Sequence, residues 1–206
     1  MGRTPSSRQW LDRHLSDPFV KRAQQEGYRS RAAYKLLEIQ AKDQILRPGM
    51  RVVDLGAAPG SWSQIAVGLV GPRGQVVALD LLPVDPLPGV TLLQGDFRDP
   101  DVLERLRRVL GDRLLDLVLS DMAPNISGVT AVDQPRAVYL AELTLDLARE
   151  CLKPGGGLVV KLFQGEGFDA VLSEMRSSFS RVSSRKPRSS RRESRELYLV
   201  AKGFHP

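Results

Sequence analysis

Two periods alternate along the chain. Short apolar runs, rich in Val and Leu, occur near 51–55, 75–80, 92–93, 115–120, 158–163 and 197–201. Between them, apolar residues recur at spacings of three and four over 18–27, 30–42, 62–70, 100–110, 135–152 and 168–179. Runs of the first kind predict strands and stretches of the second predict helices. The 30–42 helix turns Ala33, Leu36, Leu37 and Ala41 inward, with Arg31, Lys35, Glu38 and Lys42 opposite or flanking. Pro48-Gly49, Gly71-Pro72 and Pro154–Gly157 break the chain between elements. Residues 181–195 show neither period and read as a basic Ser/Arg segment. Strands alternating with helices predict an α/β fold: a mainly parallel, doubly wound sheet with helices on both faces and right-handed crossovers. We place a basic arm and a short helix at 1–29 and a single domain at 30–206.

Composition narrows the class. With 206 residues, 42% hydrophobic and 26% charged, the chain can bury a core without staples. Its one cysteine, Cys151, excludes a disulfide framework and reads as a core residue at a helix end. No apolar stretch reaches membrane-spanning length and no signal-peptide pattern opens the chain, so we expect a cytoplasmic protein without membrane contact. His14 and His205 form no ligand spacing, and no metal is expected. The net charge of +6 is unevenly spread: residues 1–35 carry +5 and residues 181–195 carry +6, which leaves −5 for the remainder. Basic ends around an acidic middle predict a polyanion footprint supplied from both termini.

Candidate chemistry centres on Asp54-Leu55-Gly56-Ala57-Ala58-Pro59-Gly60-Ser61-Trp62, where the first strand passes through a glycine-bearing loop into a helix. Such a junction in an open α/β sheet holds a nucleoside-type ligand. The loop has neither the G-x-G-x-x-G spacing nor a P-loop lysine, and Pro59 removes one N–H from any phosphate cradle. A ligand with little phosphate is expected, and S-adenosylmethionine, with its sulfonium and amino groups, fits. Gly56 and Gly60 are expected to let the backbone approach that ligand. Asp54, Asp80, Asp96 and Asp121 each close a strand and should converge on one sheet edge. Asp80 is placed to grip ribose hydroxyls and Asp96 to accept from an exocyclic amine. Trp62 reads either as a core anchor or as a border of the site.

The acceptor is read from other residues. Asp121-Met122-Ala123-Pro124 has an acid and a proline but no aromatic residue, which disfavours transfer to a base amine. Lys161 stands among apolar residues of a strand, an expensive place unless it faces a site or a partner. Glu196 opens the last strand. The strings Ser30–Leu36, Asp54–Gly60, Leu119–Asn125, Val160–Gly165 and Ser194–Tyr198 are co-linear. Together they resemble the FtsJ-type ribose 2′-O-methyltransferases over about residues 8–203, most of all bacterial members acting on a uridine ribose of large-subunit (23S) ribosomal RNA.

That resemblance implies a Rossmann-like class I S-adenosylmethionine-dependent methyltransferase with a seven-stranded sheet. It implies a catalytic tetrad of Lys35, Asp121, Lys161 and Glu196, with Lys161 as proton acceptor. Gly60, Trp62, Asp80, Asp96 and Asp121 become the cofactor contacts. Ser61 departs from the family, whose members often carry a second glycine there; it is expected to cap the helix that follows. The basic ends then hold RNA backbone, with Arg31, Arg185, Lys186 and Arg188 as the named contacts. The partner is the large ribosomal subunit or its RNA, and a monomer is expected. Competing readings are a transfer RNA substrate, a non-catalytic RNA-binding assembly factor and a nicotinamide-dependent oxidoreductase.

Overall fold

The computed structural model describes residues 17–124, 127–191 and 193–206. Most of the basic arm read at the start of the chain, with His14, lies outside the described residues, as does Asn125. Seven strands form one sheet: β1 (Arg51–Leu55), β2 (Gln75–Asp80), β3 (Val90–Gln94), β4 (Leu115–Ser120), β5 (Leu152–Phe163), β6 (Phe179–Arg185) and β7 (Glu196–Phe204). Their order is β3-β2-β1-β4-β5-β7-β6. The first five run parallel, and β7 is antiparallel to both β5 and β6. The helices are α1 (Pro18–Gln25), α2 (Ala33–Asp43), α3 (Ser61–Val70), α4 (Pro100–Leu110), α5 (Thr130–Cys151) and α6 (Phe168–Ser178). Among the described residues no helix is long and apolar enough to cross a membrane.

Strand alternation sorts the side chains to two cores. Val53, Leu55, Val77, Leu79, Val118, Val160 and Leu199 face one core, with Leu106 of α4, Leu145 of α5 and Met175 of α6. Cys151 is buried in this core, as expected. Val52, Val76, Leu117, Leu119, Val159, Tyr198 and Val200 face the other, against Leu36 and Ile39 of α2 and Ile65 of α3. Leu36 and Ile39 are 0% and 1% exposed, and each such burial stabilises by roughly 1.5–3 kcal/mol. They seat α2, and with it Lys35. Continuing the same two-residue period past Leu119 and Val159, and back from Tyr198, puts Asp121, Lys161 and Glu196 on the α2 side of the sheet.

Several boundaries differ from the pattern-based expectation. The helix expected to open at Ser30 begins at Ala33, after a turn in which the Ser30 hydroxyl accepts from Ala32 N. The helix expected at 135 begins at Thr130 and carries Pro135 inside it. The Asp133 carboxylate ties the preceding turn to it, accepting from Ser127 N and Gly128 N. β5 starts at Leu152 rather than near 158, because Leu152 already pairs with Leu115 across a register shift. The largest difference is β6, a strand over Phe179–Arg185, where the sequence reads as a helix end followed by a basic Ser/Arg segment. Its serines and arginines lie at the sheet edge, where charged residues are common and the apolar alternation is weak.

Candidate active site

The loop between β1 and α3 is held by its own hydrogen bonds. Gly56 N and Ala57 N both donate to Leu79 O, Ala58 N donates to the Asp80 carboxylate at 2.8 Å, and Gly60 N donates to Ala57 O. With Pro59 lacking an N–H, the loop's own backbone donors from Gly56 to Gly60 are all spent. The glycines also answer to protein neighbours. Gly56 has φ +71°, and a Cβ there would meet Met122 Cγ at 2.5 Å. Gly60 has φ +102°, and a Cβ would meet Arg29 Nη1 at 2.7 Å. Nor does Ser61 cap α3: Gly60 is the N-cap, and the Ser61 hydroxyl pairs with that of Ser30 at 2.7 Å.

Three of the four strand-end acids reach the cleft. A cavity of about 760 Å³ opens at the carboxyl ends of β1, β2 and β4, lined by Gly56, Ala58, Asp80, Leu81, Asp96 and Asp121 among others. Asp54 lies beneath it, fully enclosed, accepting a hydrogen bond from Ser63 Oγ at 2.6 Å, with its second oxygen unpaired. Burial pushes its carboxyl up to about 7, against the Ser63 hydrogen bond, and Asp121 nearby adds to the rise. Asp80 is fixed on both oxygens, by Ala58 N and by Leu82 N, each at 2.8 Å. Asp96 is engaged by Arg98, whose Nε lies 2.9 Å and 3.0 Å from its two oxygens, and this pairing lowers its pKa.

The tetrad residues form two ion pairs. Lys161 Nζ lies 3.0 Å from Asp121 Oδ1 and also donates to Asp121 O. Lys35 Nζ lies 2.8 Å from Glu196 Oε1. The Lys161 side chain is 8% exposed and that of Asp121 17%. Tyr198 stands between the pairs: its hydroxyl donates to Asp121 Oδ1 at 2.6 Å, and Lys35 Nζ lies 5.5 Å from its ring centre. Register explains the meeting, because Tyr198 is directly opposite Lys161 and Glu196 opposite Phe163. Burial alone would raise the Asp121 carboxyl, but Lys161, Lys35 and the Tyr198 hydroxyl together hold it below its ordinary value. Burial, with the carboxylates of Asp121 and Glu196, drives the Tyr198 phenol well above its ordinary value, so it stays a donor.

The remaining sequence candidates lie elsewhere. Gly60 is at the loop's far end. Trp62 is 2% exposed, its ring 5.6 Å from that of Tyr198 and its indole N–H donating to Ala32 O. Arg31 pairs with the Asp17 carboxylate and donates to Ser189 O. Arg185 makes a two-pronged contact with buried Asp43, at 2.8 and 2.7 Å. Lys186 and Arg188 are exposed, with Lys186 Nζ donating to Ser194 O and Arg188 N to Glu38. Tyr198 and Asp43 were missed as sequence candidates. A two-residue step from Glu196 along its strand points to Tyr198; no sequence signal pairs Asp43 with Arg185.

Residues 28–204 match the FtsJ-like methyltransferase family. The chain is 58% identical over 204 residues to the ribosomal RNA large subunit methyltransferase E of Pseudomonas aeruginosa, covering 99% of each. It is 60% identical over 200 residues to the protein of that name from Chromohalobacter salexigens, covering 97% of this chain and 95% of the relative. A crystal structure from Plasmodium falciparum, described as a ribosomal RNA methyltransferase, superposes with a TM-score of 0.76 at 30% identity, covering 86% of this chain and 98% of that one.

Proposed function

This chain belongs to the FtsJ-like methyltransferase family, and from that we propose that it methylates a uridine ribose 2′-hydroxyl of large-subunit (23S) ribosomal RNA, using S-adenosylmethionine. The residues present suit the cofactor. A cleft of about 760 Å³, lined by apolar residues together with Asp80, Asp96 and Asp121, is of the size that takes a small-molecule ligand, and the loop from Gly56 to Gly60 offers no free backbone donors for phosphate. Asp80 is prepositioned for ribose hydroxyls, Asp96 for the adenine amine, and Asp121 borders the methionine end. When bound, S-adenosylmethionine supplies a methyl group that is already activated. What the chain supplies is position and proton handling.

The observation that carries the reading is the pair of ion pairs joined through Tyr198 beside the cleft. In this reading Lys161 Nζ, oriented by Asp121 and acting as the neutral amine, takes the proton of the 2′-hydroxyl as that oxygen bonds the methyl group and the bond from methyl to sulfur breaks. Lys35 and Glu196 orient that hydroxyl. Gly60 and Trp62 shape the loop that carries the cofactor, and Arg31, Arg185, Lys186 and Arg188 belong to the basic surface that meets RNA. The two exposed members, Lys186 and Arg188, bear most of that contact, while Arg31 and Arg185 shape the surface through their protein partners. The enzyme works as a cytoplasmic monomer on the large subunit or its RNA, as residues 1–29 lead into a single catalytic domain over 30–206. Lys161→Ala tests the assignment. We expect retained cofactor binding with methyl transfer to undermethylated ribosomal RNA reduced by at least about 100-fold, as for loss of a positioned proton acceptor. Near-normal transfer would overturn it.

A further inference from the structure

Arg29 belongs to the basic N-terminal stretch, yet its guanidinium is directed inward at three backbone carbonyls. Nη1 donates to Pro59 O at 3.0 Å and to Asp85 O at 2.8 Å, and Nη2 donates to Pro86 O at 2.8 Å. Pro59 is in the loop after β1; Asp85 and Pro86 are in the segment after β2. These two segments supply Ala58 and Leu81-Leu82 to the lining of the cleft. From inside the cleft Asp80 bridges the same two segments, through Ala58 N and Leu82 N. The packing at Gly60 agrees: a Cβ there would meet Arg29 Nη1 at 2.7 Å and Val84 Cγ1 at 3.1 Å. Gln64 of α3 secures the base of the arginine, accepting from Arg29 N at 3.2 Å and donating to Gly27 O at 2.9 Å.

We propose that Arg29 is a positioning residue for the cofactor site, a clip that holds the two loops flanking Asp80 at fixed separation, and not one of the RNA-contacting cations. The inference rests on the reading that this cleft takes S-adenosylmethionine. A guanidinium suits the task because its planar fork reaches several carbonyls at once, whereas an ammonium is a single point charge. With the clip gone, Ala58 and Leu82 still hold Asp80, but the loops can spread, and the bound state must order them at its own expense.

The test compares Arg29→Ala and Arg29→Lys with the unaltered protein, measuring S-adenosylmethionine affinity by calorimetry and affinity for a large-subunit RNA fragment by filter binding. We expect Kd for S-adenosylmethionine to rise about tenfold in both variants, equivalent to 1.4 kcal/mol. RNA affinity should stay within about twofold, and kcat at saturating cofactor should be largely kept. Gln64→Ala, which loosens the arginine without removing it, should raise the same Kd by a smaller factor and serves if the Arg29 variants do not fold. An unchanged cofactor Kd overturns the proposal. So does a loss of RNA affinity in Arg29→Ala that Arg29→Lys restores, which would make Arg29 a phosphate contact. If the unaltered protein binds no S-adenosylmethionine, the reading of the cleft fails before the clip is in question.

Discussion

Tyr198→Phe isolates one atom of the active site. The ring stays, so its packing against Trp62 and beneath Lys35 is kept. What goes is the hydroxyl that donates to Asp121 Oδ1 at 2.6 Å, the oxygen that also receives Lys161. A hydrogen bond to a charged acceptor is worth about 1.5–3 kcal/mol. If about half of that is felt in how firmly Asp121 holds Lys161, kcat falls about tenfold, since 1.4 kcal/mol is a factor of ten. KM for either substrate should move by less than about threefold, because Tyr198 itself lines neither the cofactor cleft nor the RNA surface. A second signature separates positioning from simple loss of stability. The Tyr198 hydroxyl helps hold the Asp121 carboxyl below its ordinary value, so without it the acid limb of the pH–rate profile moves to higher pH. Single-turnover methyl transfer, followed from pH 9 down to about pH 3 so as to include the carboxylate range, measures both quantities. A kcat within twofold of the parent, with the acid limb unmoved, would refute the reasoning.

Arg185→Ala should cost about 3–5 kcal/mol, the range for leaving a buried carboxylate without its partner, and lower Tm by roughly 6–20 °C; Asp43 is that carboxylate. Adding Asp43→Asn should recover part of the loss, and thermal unfolding of the single and double variants checks both. Asp54→Asn should flatten the pH dependence of stability between about 4 and 7. The Asp54 carboxyl is raised in the folded state to about 7, so the native protein binds the proton more tightly there, and stability falls as pH rises through that window. The variant cannot make that exchange. Denaturant unfolding at pH 4, 6 and 8 checks it, and an unchanged slope would assign the dependence to other groups.

Most of the fold was legible because its strands are buried on both faces and read as unbroken apolar runs. β6 was not, because an edge strand of Ser and Arg carries little apolar signal. Within the site, Lys161 declared itself by its charge amid a buried strand. Tyr198 did not: an aromatic residue in an apolar strand looks like core, and it is core, with only its hydroxyl turned to chemistry. The four strand-end acids were all expected to converge on one sheet edge, yet Asp54 is sealed beneath the cleft by Ser63 while Asp80 is pinned at its wall. That distinction depends on which face each residue takes and on what the next helix brings against it. Arg185 and Arg29 were misleading in the same way. Charge density predicts a surface, but the partner of each arginine is set by tertiary contacts separated by 142 and up to 57 positions along the chain.

The strand order also has a consequence in time. β6 precedes β7 in the chain but has its place in the sheet only through β7, which lies between it and β5. A chain emerging from its own ribosome can close the cofactor half early, from β1 to β5, while β6 waits without a seat. Glu196 and Tyr198 follow in β7, after all five parallel strands, so the cleft can take shape before the groups proposed to direct a methyl to its acceptor are added to it.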